Sequence, residues 1–198
     1  DELGAGPGVS IAVDLPRHWL TAVWWLAIDA AGGTAKFGPH TTEEIAVVGP
    51  DKAMTPPAAD EVVAVSLSPL AGPFTDPLPP LVRDYATEVR QQGDHFAPAH
   101  KGDAAAGDRA QRQAGAWGLT ATDRVLAVGA LQTAVDLEQA LLAPMAADAS
   151  VVWVRNPAGP HLVKTATAER VTVGVGEPPD GAPSIPGVRW LPKLSVSC

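Results

Sequence analysis

The chain has 198 residues, 46% of them apolar and 18% charged, so it buries a core of its own, hiding roughly 70% of its unfolded surface, and is globular rather than disordered. Its net charge of −8 and its lack of any Lys/Arg run exclude nucleic acid as a partner, because an acidic surface repels a phosphate backbone. The longest apolar stretch, Trp19–Ala31, is interrupted by Thr21 and Asp29 and is too short to span a bilayer; with no legible signal peptide, the expected location is the cytoplasm.

In chain order, Val9–Leu15 (VSIAVDL) is rich in β-branched residues and lies between Gly8 and Pro16, which predicts a strand. Pro16 suits a first helical turn, so a helix is expected from about Arg17 to Ala31, ending at Gly32-Gly33. Trp19, Trp24, Trp25, Leu26 and Ile28 make it apolar nearly all round. That is the pattern of a helix buried between layers, so its tryptophans are expected to face inward rather than toward a partner. Ile45–Val48 and Val62–Leu67 read as strands, and Ser68–Pro80, with five prolines, as an irregular connection. Leu81–Gln91 is expected to be helical, as is Ala104–Trp117 despite Gly107 and Gly115. A strand follows at Arg124–Val128. Ala134–Ala147 is predicted helical, with Leu137, Leu141, Leu142 and Met145 on one face. Ser150–Val154 reads as a strand, Leu162–Ala168 as a short helix, Val171–Val175 as a strand, and a last short strand is expected near Val188–Leu191.

Alternation of strand and helix predicts an α/β fold with mostly parallel sheets covered by helices. Two subdomains are expected: 1–95, then a connection and helix over 96–117, then 118–198 with a proline-rich tail. Gly4-Ala-Gly-Pro-Gly-Val-Ser-Ile-Ala-Val and Gly118-Leu-Thr-Ala-Thr-Asp-Arg-Val-Leu-Ala-Val are similar turn-into-strand units, as if they entered equivalent strands. The chain starts without Met at what reads as a helix end, DELGAGPG, and an earlier segment is expected to be missing. Cys198 is the only cysteine; it makes neither an internal disulfide nor a thiolate metal site and is expected to be a free thiol.

These segments resemble the large N-terminal domain of the AMP-binding, adenylate-forming enzymes, the acyl-CoA synthetases and their relatives. Leu3–Pro16 and Trp19–Gly33 match that family's G-x-x-x-G-D-x-V-A-I-x-L-P segment and the apolar helix after it. Gly118–Leu126 matches its G-L-x-P-x-D-R-V-L unit, Leu141–Val154 its L-L-x-P-L-x-x-G-A-x-V-V-L segment, and Arg170–Pro179 its R-V-T unit. Ala86–Phe96 (ATEVRQQGDHF) suggests a group of shortened bacterial relatives. The resemblance implies the family's parallel α/β fold and an ancestry in ATP-dependent activation of carboxylic acids.

The chemistry of that family is harder to find. A Ser/Thr/Gly-rich loop ending in Pro-Lys-Gly should hold the ATP phosphates through backbone N–H groups. The linking stretch His95–Trp117, HFAPAHKGDAAAGDRAQRQAGAW, contains no Ser or Thr, and its only local candidate is Lys101-Gly102. The ribose-holding Thr-Gly-Asp motif and the C-terminal domain with its catalytic Lys are also not found, so the developing phosphate charge has nothing to neutralise it. No catalytic residue is assigned. The Gly4–Gly8 glycines precede a strand instead of opening a helix, so they read as a turn and not a dinucleotide site. Ser66 and Ser68 lack a G-x-S-x-G elbow, and His18 reads as a helix-start residue. The Asp94–His100 cluster lacks metal-ligand spacing because Pro98 breaks a helix there; no metal site is expected.

The favoured expectation is a degenerate adenylate-forming-like domain that no longer activates acids and binds a small ligand or a protein. A surviving site for AMP or ATP would lie near His95, His100 and Lys101, where the two subdomains meet. The alternatives are an active ligase completed by missing segments or another chain, and a structural or interaction protein with no small-molecule site.

Overall fold

The computed structural model describes residues 3–93, 95–98, 104–128, 131, 133–154, 159–176 and 185–191. The chain forms two compact units, Asp1–Gly102 and Asp103–Cys198. Each is a parallel sheet with helices against it, the α/β class expected from the alternation.

The first unit begins with β1 (Ser10–Asp14), α1 (Trp19–Ala31), β2 (Thr34–Phe37) and β3 (Ile45–Val48). It continues with the short α2 (Pro50–Ala53), β4 (Glu61–Ala64), β5 (Val82–Asp84) and the single turn α3 (Tyr85–Glu88). Its five strands run parallel in the order β2-β1-β3-β4-β5. Successive side chains of a strand point to opposite faces. Ile11, Val13, Ile45 and Val47 accordingly pack against Leu20 and Ile28 of α1, while Ala46 and Val48 pack with Ala53, Val62 and Ala64. All four β3 residues are buried, as a strand covered on both faces requires.

Helix α1 starts two residues later than expected. His18 is its N-cap, extended at φ −153°, and its side chain accepts from the Leu20 N–H; Gly32, at φ 81°, closes the other end. The helix is not buried all round. Trp25 is 9% exposed, whereas Trp19 is 47% exposed, with Val23 and Leu26 beside it in the open. The reason is that only one side of α1 meets the sheet, so an apolar outer face stays in water. The expected helix over Leu81–Gln91 is also corrected. Val82–Asp84 is a strand in register with Val62–Ala64, and Asp84 then caps a helix that begins only at Tyr85, its carboxylate accepting from the Ala86 N–H at 3.0 Å. Val62–Leu67 likewise ends as a strand at Ala64, Val65 giving a last N–H to the Val48 carbonyl at 2.9 Å, and Leu67 turns away at φ 55°.

The second unit contains α4 (Ala104–Trp117), β6 (Arg124–Ala127), α5 (Ala134–Leu137), α6 (Ala143–Ala146), β7 (Ser150–Trp153), α7 (Gly159–Ala168), β8 (Val173–Val175) and β9 (Arg189–Leu191). Its sheet is parallel in the order β7-β6-β8-β9. The helix expected over Ala134–Ala147 is not uniform: Glu138–Leu142 widens into a π turn between α5 and α6. Pro144 explains this. A proline inside a helix has no N–H to give the carbonyl four residues back, and its ring crowds that carbonyl. The carbonyl in question belongs to Ala140, which instead accepts from the Trp153 indole N–H at 3.2 Å.

The two units share one layout. In each, the first strand (β1 or β6) sits between its sequence successors, β2 and β3 in one unit and β7 and β8 in the other, with the next strand outside. Ile11 pairs with Ile45, and Val125 with Val173, at the same step of each ladder. Gly4 and Gly118 precede their strands at the same distance, and both hold left-handed φ, 71° and 60°. The two glycine-led units of the sequence therefore do enter equivalent strands.

Candidate functional site

Open parallel sheets bind ligands beyond the carboxyl ends of their strands, where the strand order reverses. In the first unit that point lies between β1 and β3. Asp14 ends β1 and pairs with Lys52 of α2. Arg17 follows Pro16, its guanidinium half-buried, and burial holds its pKa below the usual value. The Thr21 hydroxyl donates to the Pro16 carbonyl at 2.7 Å. Gly49 lies so close that a Cβ on it would stand 2.9 Å from Asp51 Oδ1. This edge thus carries cationic groups, but Lys52 is already matched by a carboxylate.

Beyond β4 the two serines are structural. The Ser66 hydroxyl donates to the Gly72 carbonyl, and the Ser68 hydroxyl accepts from the Gly72 N–H. They close a tight loop instead of presenting a nucleophile, which fits the missing elbow motif. His18 is engaged as the N-cap of α1, the role its position implied.

The strongest electrostatic feature was not singled out from sequence. Glu43 is 6% exposed; its carboxylate accepts from the Thr41 N–H at 2.8 Å and the Thr42 N–H at 3.1 Å, and Lys36 approaches to 3.3 Å. The Thr41 N–H foremost, against the opposing effect of burial, brings its pKa from 4.5 to about 2. This carboxylate ties the β2–β3 connection. Thr-Thr-Glu is a local turn signature that could have flagged it.

Of the three residues expected to hold a nucleotide, His95 is exposed, as are Phe96, Ala97 and Pro98 after it. His100 and Lys101 lie outside the described residues. Farther along the same linking stretch, Ala104–Trp117 is helical, with Ala106, Ala110, Ala114 and Trp117 buried. At the corresponding edge of the second unit, Thr133 and Asp136 form a capping box at the start of α5. Among the described residues no group of His, Cys, Asp and Glu is placed to hold a metal ion, and no helix is long and apolar enough to cross a membrane.

Comparison with known proteins places these features in context. A TIGR03089 family protein of Mycobacterium tuberculosis (strain ATCC 25618 / H37Rv) is 38% identical over 188 residues, which cover 87% of this chain and 76% of its own. An acyl-CoA synthetase of Brucella canis superposes with a TM-score of 0.68 at 15% identity, over 88% of this chain and 38% of its own. The anthranilate CoA ligase AuaEII, in complex with anthranoyl-AMP, gives a TM-score of 0.66 at 14% identity, over 88% and 40%. No protein-family model matches the chain. The chain has the fold of the adenylate-forming enzymes' N-terminal domain, and it spans about 40% of the length of such solved ligases.

Proposed function

We propose that this chain, which belongs to the TIGR03089 family, is an adenylate-forming-like scaffold that does not activate carboxylic acids and instead holds a small ligand, a nucleotide such as AMP first among them, or a protein partner. One observation carries the reading. The stretch from His95 to Trp117, where the phosphate loop of an acid-activating enzyme belongs, has no hydroxyl side chain, and its larger part is the packed helix α4. Loss of a single preorganised donor for developing charge typically lowers a rate by about 10²–10³. An adenine site needs less, only a shaped and mostly apolar crevice with a few polar groups; His95, His100 and Lys101 are the residues proposed for it, in the cytoplasm.

The test is ATP–pyrophosphate exchange over a broad panel of carboxylic acids, with AMP binding measured by calorimetry on the same chain. The expected result is no exchange above background together with AMP binding that Lys101→Ala weakens. Exchange that Lys101→Ala abolishes would overturn the reading. A second reading, a ligase completed by missing segments or another chain, draws support from one fact: the matched region is well under half of each full-length ligase.

A further inference from the structure

We infer that the outer face of α1 is a self-association surface, on which α1 of a second copy of this chain packs antiparallel about a two-fold axis. Trp19, Val23 and Leu26 are 47%, 38% and 38% exposed. With Ala30 they recur at alternating steps of four and three residues, the spacing by which one helix seats against another at a shallow angle. The other large side chains of α1 are turned away from this face: Leu20 and Ile28 pack in the core of the sheet with Trp24 beside them, and Trp25 is buried.

Shape and charge select the occupant. In an antiparallel pair Trp19 lies opposite Ala30, the largest side chain of the seam against the smallest, and Val23 lies opposite Leu26. Helix α1 has no acidic residue in its first turn and no basic residue in its last. Asp29 stands in that last turn instead, at the end of the helix dipole that disfavours an anion. An antiparallel second copy reverses this. It sets Asp29 beside the positive amino end of the other helix's dipole and opposes the two dipoles. A parallel pair would bring the two Asp29 carboxylates together. Four seam residues per helix fall short of the roughly 800 Å² per partner that a stable interface buries, so the association is weak, reversible and concentration-dependent.

The test is sedimentation velocity of the full chain over a concentration series. A monomer–dimer equilibrium is expected. Val23→Glu or Leu26→Lys alone sets a charge against an apolar side chain of the other copy and should weaken dimerisation by about tenfold or more, equivalent to ~1.4 kcal/mol. The double variant should regain it, because the introduced carboxylate and ammonium then face each other across the axis. Circular dichroism of each variant confirms that α1 is intact, since both positions lie on the outer face. Three results would overturn the inference: a monomer at every concentration, which would leave this face to a different protein; a dimer indifferent to Val23→Glu; or a double variant no better than either single one.

Discussion

At the scale of single residues, Glu43 is the group whose pKa is shifted most among the described residues. Its folded pKa of about 2 lies below the usual 4.5, so the carboxylate contributes stability that is fully present above the unfolded value and is lost as pH falls from 4.5 toward 2. Hydrogen bonds to charged groups contribute about 1.5–3 kcal/mol each. Glu43→Gln should therefore destabilise the chain by about 2 kcal/mol at pH 7 and by much less near pH 2, measured by urea unfolding at both pH values. Equal losses at the two would show that shape, and not charge, holds the β2–β3 connection. The sequence hid this residue for a plain reason. Glu43 and Glu44 are adjacent carboxylates in the polar stretch before β3, and only the fold decides that the first is buried and the second exposed. Thr34 and Lys36 of β2 point outward in alternation with half-buried Ala35 and Phe37, too brief a pattern to read as a strand. His18 was legible, because a polar residue just after Pro16 and before an apolar run is a cap signal. Gly174 was not. A side chain there would overlap the ring of Trp190, its ladder partner on β9, and such a contact exists only once two distant strands are paired.

At the scale of elements, propensity and periodicity gave the long helices α1 and α4 and most strands, and failed where a neighbour decides. Leu81 takes φ 71° and Val82–Asp84 join the sheet, so the helical reading of Leu81–Gln91 lost its first residues to strand pairing and holds only from Tyr85 to Gln91. The helix after β6 failed differently. Pro144 was visible in the sequence, yet its consequence depends on Trp153, which supplies the donor that Ala140 lacks. Trp153→Phe should cost about 1–3 kcal/mol by leaving that carbonyl without a donor. In a Pro144→Ala background the main chain regains an N–H for Ala140, and the same change should cost clearly less. A double-mutant cycle by denaturant unfolding measures the difference, and identical costs in the two backgrounds would refute the link between the proline and the π turn. The outer face of α1 shows the limit of composition: Trp19 and Trp25 are the same residue type on the same helix, and only the position of the sheet separates an exposed ring from a buried one.

At the scale of the whole molecule, the resemblance to adenylate-forming enzymes was carried by strand-entry glycines and apolar runs, and those features are what the fold reproduces. The proposed site rests on what the linking stretch lacks. A stretch without hydroxyl groups could be read directly, whereas a crevice depends on residues that converge from several strands. His95 is exposed and contributes no described contact that would mark such a crevice. The repeated strand order also means that each unit owns a complete hydrophobic core, and whether the two melt together becomes a measurable question. The sequence supplies a gauge. It contains one tyrosine, Tyr85, whose ring lies 5.6 Å from that of Trp24 and tilted by 52°, while three of the six tryptophans, Trp117, Trp153 and Trp190, belong to the other unit. Light absorbed by a phenol so near an indole is passed to the indole, and the native chain is expected to show little tyrosine emission. When α1 separates from the end of β5 that transfer stops, and the phenol begins to fluoresce on its own. The appearance of tyrosine light thus times the opening of the first unit in an unlabelled, unmodified chain.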